Sequence, residues 1–519
     1  MSAIHDGLTS AELTIHALRR WGDRPAFSGH GGAMTYAQAL DLVARYQAAF
    51  AAAGVRRGER LAMLNANRAD AWLAGIAALA MGVCGTAMHP LGSLEDHLFI
   101  LEDGEIDHLL VDMGAYGERG RELAARAAGL KQVFTLGPGD FGHDLAAAAA
   151  GAGAVSPVIA AGPDDEAMLS YTGGTTGKSK GVLRRHPQTV AMVNAILAEF
   201  EWPDPVNYLA VAPISHVGGT KLTPTLIRGG RVHFHHGFDP GRILHDIGVE
   251  RISATLLVPT MIYMLLDQPE LERADLSSLQ LLLYGASPMS PSRPLEGLER
   301  IGPVFSQLYG QSECYPISVL RRADHDPANA EMFASCGHPC SSVQVALLDE
   351  GNATVAPGEV GEICVRSPHA MLEYWKREEQ TAETLAAGWL HTGDMARADE
   401  RGYLYIVDRK KDMVVTGGFN VYPREVEDIL TADPAVAMAA VIGVPDEKWG
   451  EAVKAVVVPR SGGDVDPSAL IEAVRARKGA VWAPKTVDIV EEIPLTAIGK
   501  PDKKALRERY WQGQARQVG

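Results

Sequence analysis

Short apolar runs broken by turn residues dominate the first three hundred positions of the chain. RLAMLN (60–65), HLLVD (108–112), ATLLVP (254–259) and LQLLLYGAS (279–287) are nearly continuous in apolar residues and end in turn formers. That is the pattern of strands buried on both faces. Stretches with helical spacing and start signals lie between them. Thr35 with Gln38, and Ser93 with Asp96, read as capping boxes, and the helix opened by Thr35 runs through Phe50 and ends at Gly54. Buried strands alternating with helices predict an α/β fold, with mostly parallel β-sheets flanked by helices. Ligands in such sheets sit at the carboxyl ends of strands. YTGG (171–174), GAS (285–287) and YGQSE (309–313) are accordingly placed in loops after or beside such runs.

After about residue 340 the pattern changes. VQVALLDEGNATVAPGEVGEICVRS (343–367) alternates short strand-like runs with Gly and Pro turns, which reads as a β-rich subdomain. The charged, aperiodic DRKKD (408–412) separates two apolar patches and marks a boundary. It divides the chain into a large N-terminal part, 1–410, and a small α+β C-terminal part, 411–519. The latter is predicted to hold helices at PREVEDIL and about 467–477, with strands at AAVIGV, EAVKAVVVP and TVDIVEEI. No internal repeat is present. The alanine-rich stretch near 144–155 reads as a surface helix and loop.

Composition narrows the function classes. The chain has 519 residues, 46% apolar and 22% charged, with a formal net charge of −16. So acidic a surface argues against nonspecific nucleic-acid binding and against anionic membranes. The longest apolar run, AWLAGIAALAMGVCGTAM (71–88), is rich in alanine and broken by Gly82 and Gly85. It reads as a buried helix leading into a buried strand rather than a membrane span. The N-terminal MSAIHDGLTS has neither a basic start nor an apolar core, so no signal peptide is expected. The five cysteines have no paired spacing, which fits a reducing cytoplasm. SCGHPC (335–340) clusters Cys336, His338 and Cys340 but lacks a fourth ligand, and is read as a structural turn.

The densest chemical signal is YTGGTTGKSKG (171–181). Gly177-Lys178-Ser179 ends like a Walker A loop, but the earlier glycine would fall at Thr172, so a P-loop NTPase is disfavoured. The loop still has the parts of a phosphate cradle. Gly173, Gly174 and Gly177 let backbone N–H groups converge on an anion. Thr172, Thr175 and Thr176 add hydroxyls, and Lys180 adds charge.

This segment resembles the signature loop of the adenylate-forming superfamily, which includes acyl- and aryl-CoA synthetases, luciferases and peptide-synthetase adenylation domains. The match fails only at Ser179, where proline is usual. Further motifs follow in family order over nearly the whole chain. By that resemblance, His216 in SHVGG (215–219) closes the acid pocket, and Gly285, Ala286 and Ser287 line the adenine. In YGQSE, the resemblance has Tyr309 stack on adenine beside Gly310, Ser312 reach the α-phosphate and Glu313 hold Mg2+. Asp394 in HTGD (391–394) and Arg409 take the ribose, and Lys411 is the hinge about which the small domain moves. Lys500, in PLTAIGK (494–500), corresponds to the lysine that stabilises charge during adenylation. Gly418 in TGG (416–418), Trp449 and Lys485 correspond to coenzyme A contacts, although Val481 and Trp482 depart from the usual pattern there.

The resemblance implies an ATP- and Mg2+-dependent acid–CoA ligase. A carboxylate attacks ATP to give an acyl-adenylate and pyrophosphate, and coenzyme A then takes the acyl group and releases AMP. The acid is expected to be a hydrophobic monocarboxylate, fatty or aryl. Its pocket would be walled near Tyr208, 216–222, 285–289 and 307–317, with Val217, Leu222 and Ile317 apolar. The expected partners are these small molecules, without nucleic acid or stable membrane insertion, and a homodimer is left open. The rival reading within the family is an acceptor other than coenzyme A, an amine or a carrier-protein thiol.

Overall fold

The computed structural model describes residues 7–153, 156–172, 179–287, 289, 292–416, 419–446, 448–460, 463–495 and 501–511. Two large sheets share one layer of helices. The nine-stranded sheet has the order His338–Pro339, Cys314–Leu320, Phe305–Gln311, Leu281–Gly285, Ala254–Leu257, Asn207–Ala210, Arg231–Phe234, Pro25–Gly29, Met34–Thr35. Its pairings from Pro25–Gly29 to Phe305–Gln311 are parallel, and antiparallel pairs close both edges. The eight-stranded sheet has the order Glu373–Tyr374, Lys180–Arg185, Glu166–Thr172, Cys84–Ala87, Arg60–Leu64, His108–Asp112, Gln132–Leu136, His143–Asp144. It is parallel except at the Lys180–Arg185 edge.

One core draws on both sheets and on helices Ser10–Trp21, Tyr36–Ala52, Ala69–Ala80 and His186–Glu199. The apolar run at 71–88 resolves into helix Ala69–Ala80 and strand Cys84–Ala87. Its alanines let the helix lie close between neighbours, and most of its residues are buried. Both expected capping boxes form, at Thr35 and Ser93. Among the described residues no helix is long and apolar enough to cross a membrane.

The β-rich segment forms a four-stranded antiparallel sheet, Gln344–Leu348, Gly361–Arg366, Leu390–Ala398, Leu404–Arg409. A fourth sheet begins at Val414 and carries Val414–Thr416, Phe419–Val421, Val436–Asp446, Gly450–Pro459 and Thr486–Ile489. Helices Pro423–Thr431 and Pro467–Lys478 pack their apolar sides on it, and Lys503–Tyr510 packs through Leu506 in a separate cluster with Ala440, Ile442 and Val456. The whole is an α/β architecture with a large N-terminal region and a smaller α+β C-terminal one.

Two local expectations are corrected. YGQSE is not a loop: Tyr309, Gly310 and Gln311 end the strand Phe305–Gln311, and Ser312-Glu313 turn it into its antiparallel neighbour. SCGHPC is more than a turn, since His338–Pro339 pairs as a short edge strand with Ser318 and Val319. His338 lies 3.9 Å from the Tyr403 ring, and all five cysteines are buried and free.

Candidate active site

The shared helix layer brings the ends of the two large sheets together. Strands Glu166–Thr172 and Lys180–Arg185 form a hairpin in which Thr172 faces Lys180. The cradle residues Gly173, Gly174, Thr175, Thr176 and Gly177 lie outside the described residues, and so do Gly418 and Lys500. The root of the hairpin is tied to YGQSE twice. Arg184 donates to the Ser312 carbonyl. Lys180 Nζ stands 4.6 Å above the Tyr374 ring, whose hydroxyl donates to Glu313 Oε1 at 2.7 Å. Tyr374 is brought there by the short strand Glu373–Tyr374, which pairs with Val182 and Leu183 of the same hairpin.

A second knot lies one turn away. Tyr309 Oη donates to Asp394 Oδ2 at 2.7 Å, Gln311 Nε2 donates to the same oxygen at 3.1 Å, and Arg409 Nε lies 3.2 Å from Oδ1. Asp394 and Arg409 are cross-strand neighbours in the four-stranded sheet. Burial and the Asp394 charge push the Tyr309 hydroxyl well up, so it stays protonated and serves as a donor. Three donors occupy a carboxylate that has roughly four acceptor positions. Arg409, nearly half exposed, is the partner freest to give way.

Behind this knot, Glu362 holds the turn. Its Oε1 accepts from the Gly393 N–H at 2.9 Å, and its Oε2 faces His391 Nδ1 at 3.3 Å and Lys410 Nζ at 3.4 Å. Glu362 thus joins the HTGD turn to the segment carrying Lys411.

The strand Leu281–Gly285 ends beside Tyr309's strand. A Cβ at Gly285 would sit 2.1 Å from the Leu308 carbonyl oxygen, and Gly285 has a φ of +154°. Only glycine fits there. Ala286 follows at φ +62°, a left-handed conformation that costs an alanine energy. Gly310 is also closely packed, its missing Cβ facing the Tyr315 ring at 2.9 Å.

His216 lies elsewhere on the sheet margin, edge-on to His89, with ring centroids 4.5 Å apart. Ser215 Oγ is 2.8 Å from its Nδ1. Burial, and then the neighbouring His89, push His216 down to about 4, so the imidazole is neutral at pH 7. Of the expected pocket walls, Tyr208, Leu222 and Ile317 are fully buried in the core. Lys221, within the expected 216–222 wall, is also fully buried. Its Nζ donates to Tyr315 Oη at 2.6 Å and Thr220 Oγ1 at 2.8 Å, and burial lowers its pKa well below the usual lysine range. In the C-terminal region, Lys485 Nζ lies 5.7 Å over the Trp449 ring, so these two expected coenzyme A contacts are neighbours.

Sequence reasoning missed Tyr374, Gln311, Glu362, His89, Arg184 and Lys221. Gln311 sits inside a quoted motif and was open to notice. The others act through contacts between segments distant in sequence, which spacing along the chain does not reveal.

A sheet-edge site that gathers a glycine-rich hairpin, a Tyr–Asp–Arg knot and a carboxylate beside the hairpin root is that of a nucleotide-activating enzyme. The chain belongs to the AMP-binding enzyme family: the family model for AMP-binding enzymes matches residues 15–375, and that for their C-terminal domain matches residues 425–500. It is 45% identical to a medium/long-chain-fatty-acid–CoA ligase, FadD8, of Mycobacterium tuberculosis, a match covering all of this chain and 92% of the relative. It is 39% identical to a feruloyl-CoA synthase of an Amycolatopsis species, over 93% of this chain and 95% of that one. Among solved structures it resembles the amide bond synthetase McbA of Marinactinospora thermotolerans, with a TM-score of 0.90, 34% identity and coverage of 96% of this chain and 100% of that one. The chain is therefore an adenylate-forming enzyme of the acyl-CoA synthetase class.

Proposed function

We propose that the protein is an AMP-forming acid–CoA ligase acting on a hydrophobic monocarboxylic acid, with fatty acids first and aryl acids second. The observation that carries this reading is the continuity of two clusters: Tyr309, Gln311, Asp394 and Arg409 at one end, and Glu313, Tyr374 and Lys180 at the other. ATP would lie along them, with its base by Gly285–Ser287 and Tyr309, its ribose at Asp394 and Arg409, and its phosphates by Thr172, the glycine-rich loop, Lys180 and Ser312. Support also comes from the two CoA-ligase relatives, which match nearly end to end.

Glu313 fits a hard cation: it is a half-buried carboxylate beside the root of the phosphate loop, with one oxygen oriented by Tyr374. Mg2+ held there would supply positive charge to the triphosphate. The acid's carboxylate oxygen attacks the α-phosphorus, an O–P bond forms, and the α–β bridging bond breaks to release pyrophosphate. Lys500 would stabilise the charge that builds up in this step. His216, being neutral, can accompany the carboxylate without competing for it as a counter-ion.

The part from 411 onward would then turn about Lys411 and bring Gly418, Trp449 and Lys485 to coenzyme A. The thiol gives up its proton, its sulfur attacks the acyl carbon, and the C–O bond to AMP breaks. Five buried, unpaired thiols suit a cytoplasmic setting.

The test is a panel of medium- and long-chain fatty acids and hydroxylated cinnamic acids, followed by pyrophosphate release with and without coenzyme A. The reading expects acid-dependent release that coenzyme A accelerates, with AMP and thioester formed in equal amounts. Release that no acid stimulates would contradict it. The likeness to an amide bond synthetase favours one alternative, an amine acceptor. Turnover restored by amines and not by coenzyme A would select that alternative.

A further inference from the structure

Away from the nucleotide cluster, HFHHGFD (233–239) carries a second group of titratable side chains. His233 and His235 are two residues apart, at the end of strand Arg231–Phe234 and just beyond it. Alternation along the strand puts both on one face, with ring centroids 5.6 Å apart. Helix Pro240–Val249 covers that face and turns Asp246 inward. Asp246 Oδ2 lies 2.8 Å from His235 Nε2 and 3.7 Å from His233 Nε2. All three residues are buried, and one donor atom from each lies within 4.8 Å of the others.

A single imidazole bonded to a carboxylate would be an ordinary buried pair. A second imidazole aimed at the same oxygen needs another explanation. Nitrogen and oxygen ligands about 2.0–2.2 Å from a tetrahedral zinc ion stand about 3.3 Å apart. The two observed separations, 2.8 Å and 3.7 Å, fall on either side of that value. His233 also has its outer nitrogen anchored, with Ser28 Oγ 2.9 Å from Nδ1. An Nδ1–H given to Ser28 leaves the Nε2 lone pair facing Asp246, the usual outer-sphere arrangement of a metal-bound histidine.

We propose that His233, His235 and Asp246 form a binding site for a zinc-class divalent transition ion, which ties this strand to its covering helix and leaves the fourth position to water. Arg242 is the built-in competitor. Its Nε donates to the same Asp246 oxygen at 2.8 Å, yet its side chain is 65% exposed and can swing into solvent. Binding exchanges the guanidinium for the metal, and His235 ligates as the tautomer that carries its proton on Nδ1, which frees the Nε2 lone pair.

The experiment uses untagged, full-length protein stripped with chelator and titrated with Co2+, then with Zn2+. One equivalent of Co2+ should give a visible d–d band that Zn2+ abolishes, and Zn2+ should raise the thermal midpoint. The double variant His233→Ala, His235→Ala should lose both effects. Ser28→Ala should weaken binding by about 10-fold or more. Arg242→Gln, at an exposed side chain, should tighten it by roughly 10-fold and keeps the test open should the histidine variant fail to fold. Failure of the wild-type chain to give the band overturns the proposal, as does unchanged affinity in Arg242→Gln. A thiolate-to-cobalt band lost in Cys364→Ser would put the ion at Glu362, Cys364 and His391 instead, and would equally overturn it.

Discussion

The proposed nucleotide end and the proposed acid end of the site are built on different principles. At the nucleotide end, polar side chains hold one another: Tyr309, Gln311 and Arg409 all reach the buried Asp394, while the buried Tyr374 orients Glu313. At the acid end, the candidate walls Tyr208, Leu222 and Ile317 are core residues, and burial pushes His216 down to about 4 and Lys221 well below its usual range. A preformed hydrogen-bonded frame suits a ligand of fixed shape and charge. An apolar wall with a neutral imidazole beside it suits a ligand whose body varies and whose one charge must not be neutralised early.

The comparison can be broken in graded steps. Lys500→Ala should have the largest effect, slowing adenylate formation by about 10²–10³-fold while thioester formation from supplied acyl-adenylate survives. Single-turnover assays of each half-reaction would read this, and equal losses in both would reject the role. Asp394→Asn removes the charge that organises the nucleotide knot. Charge-assisted hydrogen bonds contribute about 1.5–3 kcal/mol, so KM for ATP should rise ~10–100-fold while KM for the acid stays put. A matching rise for the acid would mean that the two ends are not separate.

Smaller effects sharpen the same contrast. Tyr374→Phe removes one hydrogen bond to Glu313, worth about 1 kcal/mol, and should shift the Mg2+ half-saturation point ~3–10-fold. An unmoved metal titration would take Glu313 out of the metal site. The acid end is read through stability rather than turnover. His216 is held near 4 in the folded chain against 6.5 when unfolded, so between those values the unfolded chain binds more protons. Stability from this group is intact above pH 6.5 and is lost as pH falls toward 4, by at most about 1.4 kcal/mol per pH unit. His216→Asn should therefore show a shallower acid decline in denaturant midpoint, and parallel curves would contradict the assignment.

How much of this was legible in the sequence depended on range. Strands such as 108–112 and the capped helix from Thr35 could be read because their signals are local. The nucleotide motifs could be read because each packs several functional residue types into five or so positions. What escaped came from pairing. Tyr374 reaches Glu313 only because a two-residue strand adds to the hairpin edge, and Glu362 reaches Gly393 only because two antiparallel strands align. YGQSE was misread as a loop because its glycine suggests a turn, whereas the strand runs through it and bends at Ser312. Lys221 was overlooked because nothing in its neighbours foretells that Phe200 and Tyr315 close over it.

A crystal structure with a nonhydrolysable ATP analogue and Mg2+ tests the central claim most directly. The account predicts both ribose hydroxyls within hydrogen-bonding distance of Asp394, Arg409 displaced to admit them, and phosphates beside Lys180 and Glu313. A nucleotide bound elsewhere, with the bonds of Tyr309, Gln311 and Arg409 to Asp394 unaltered, would contradict it.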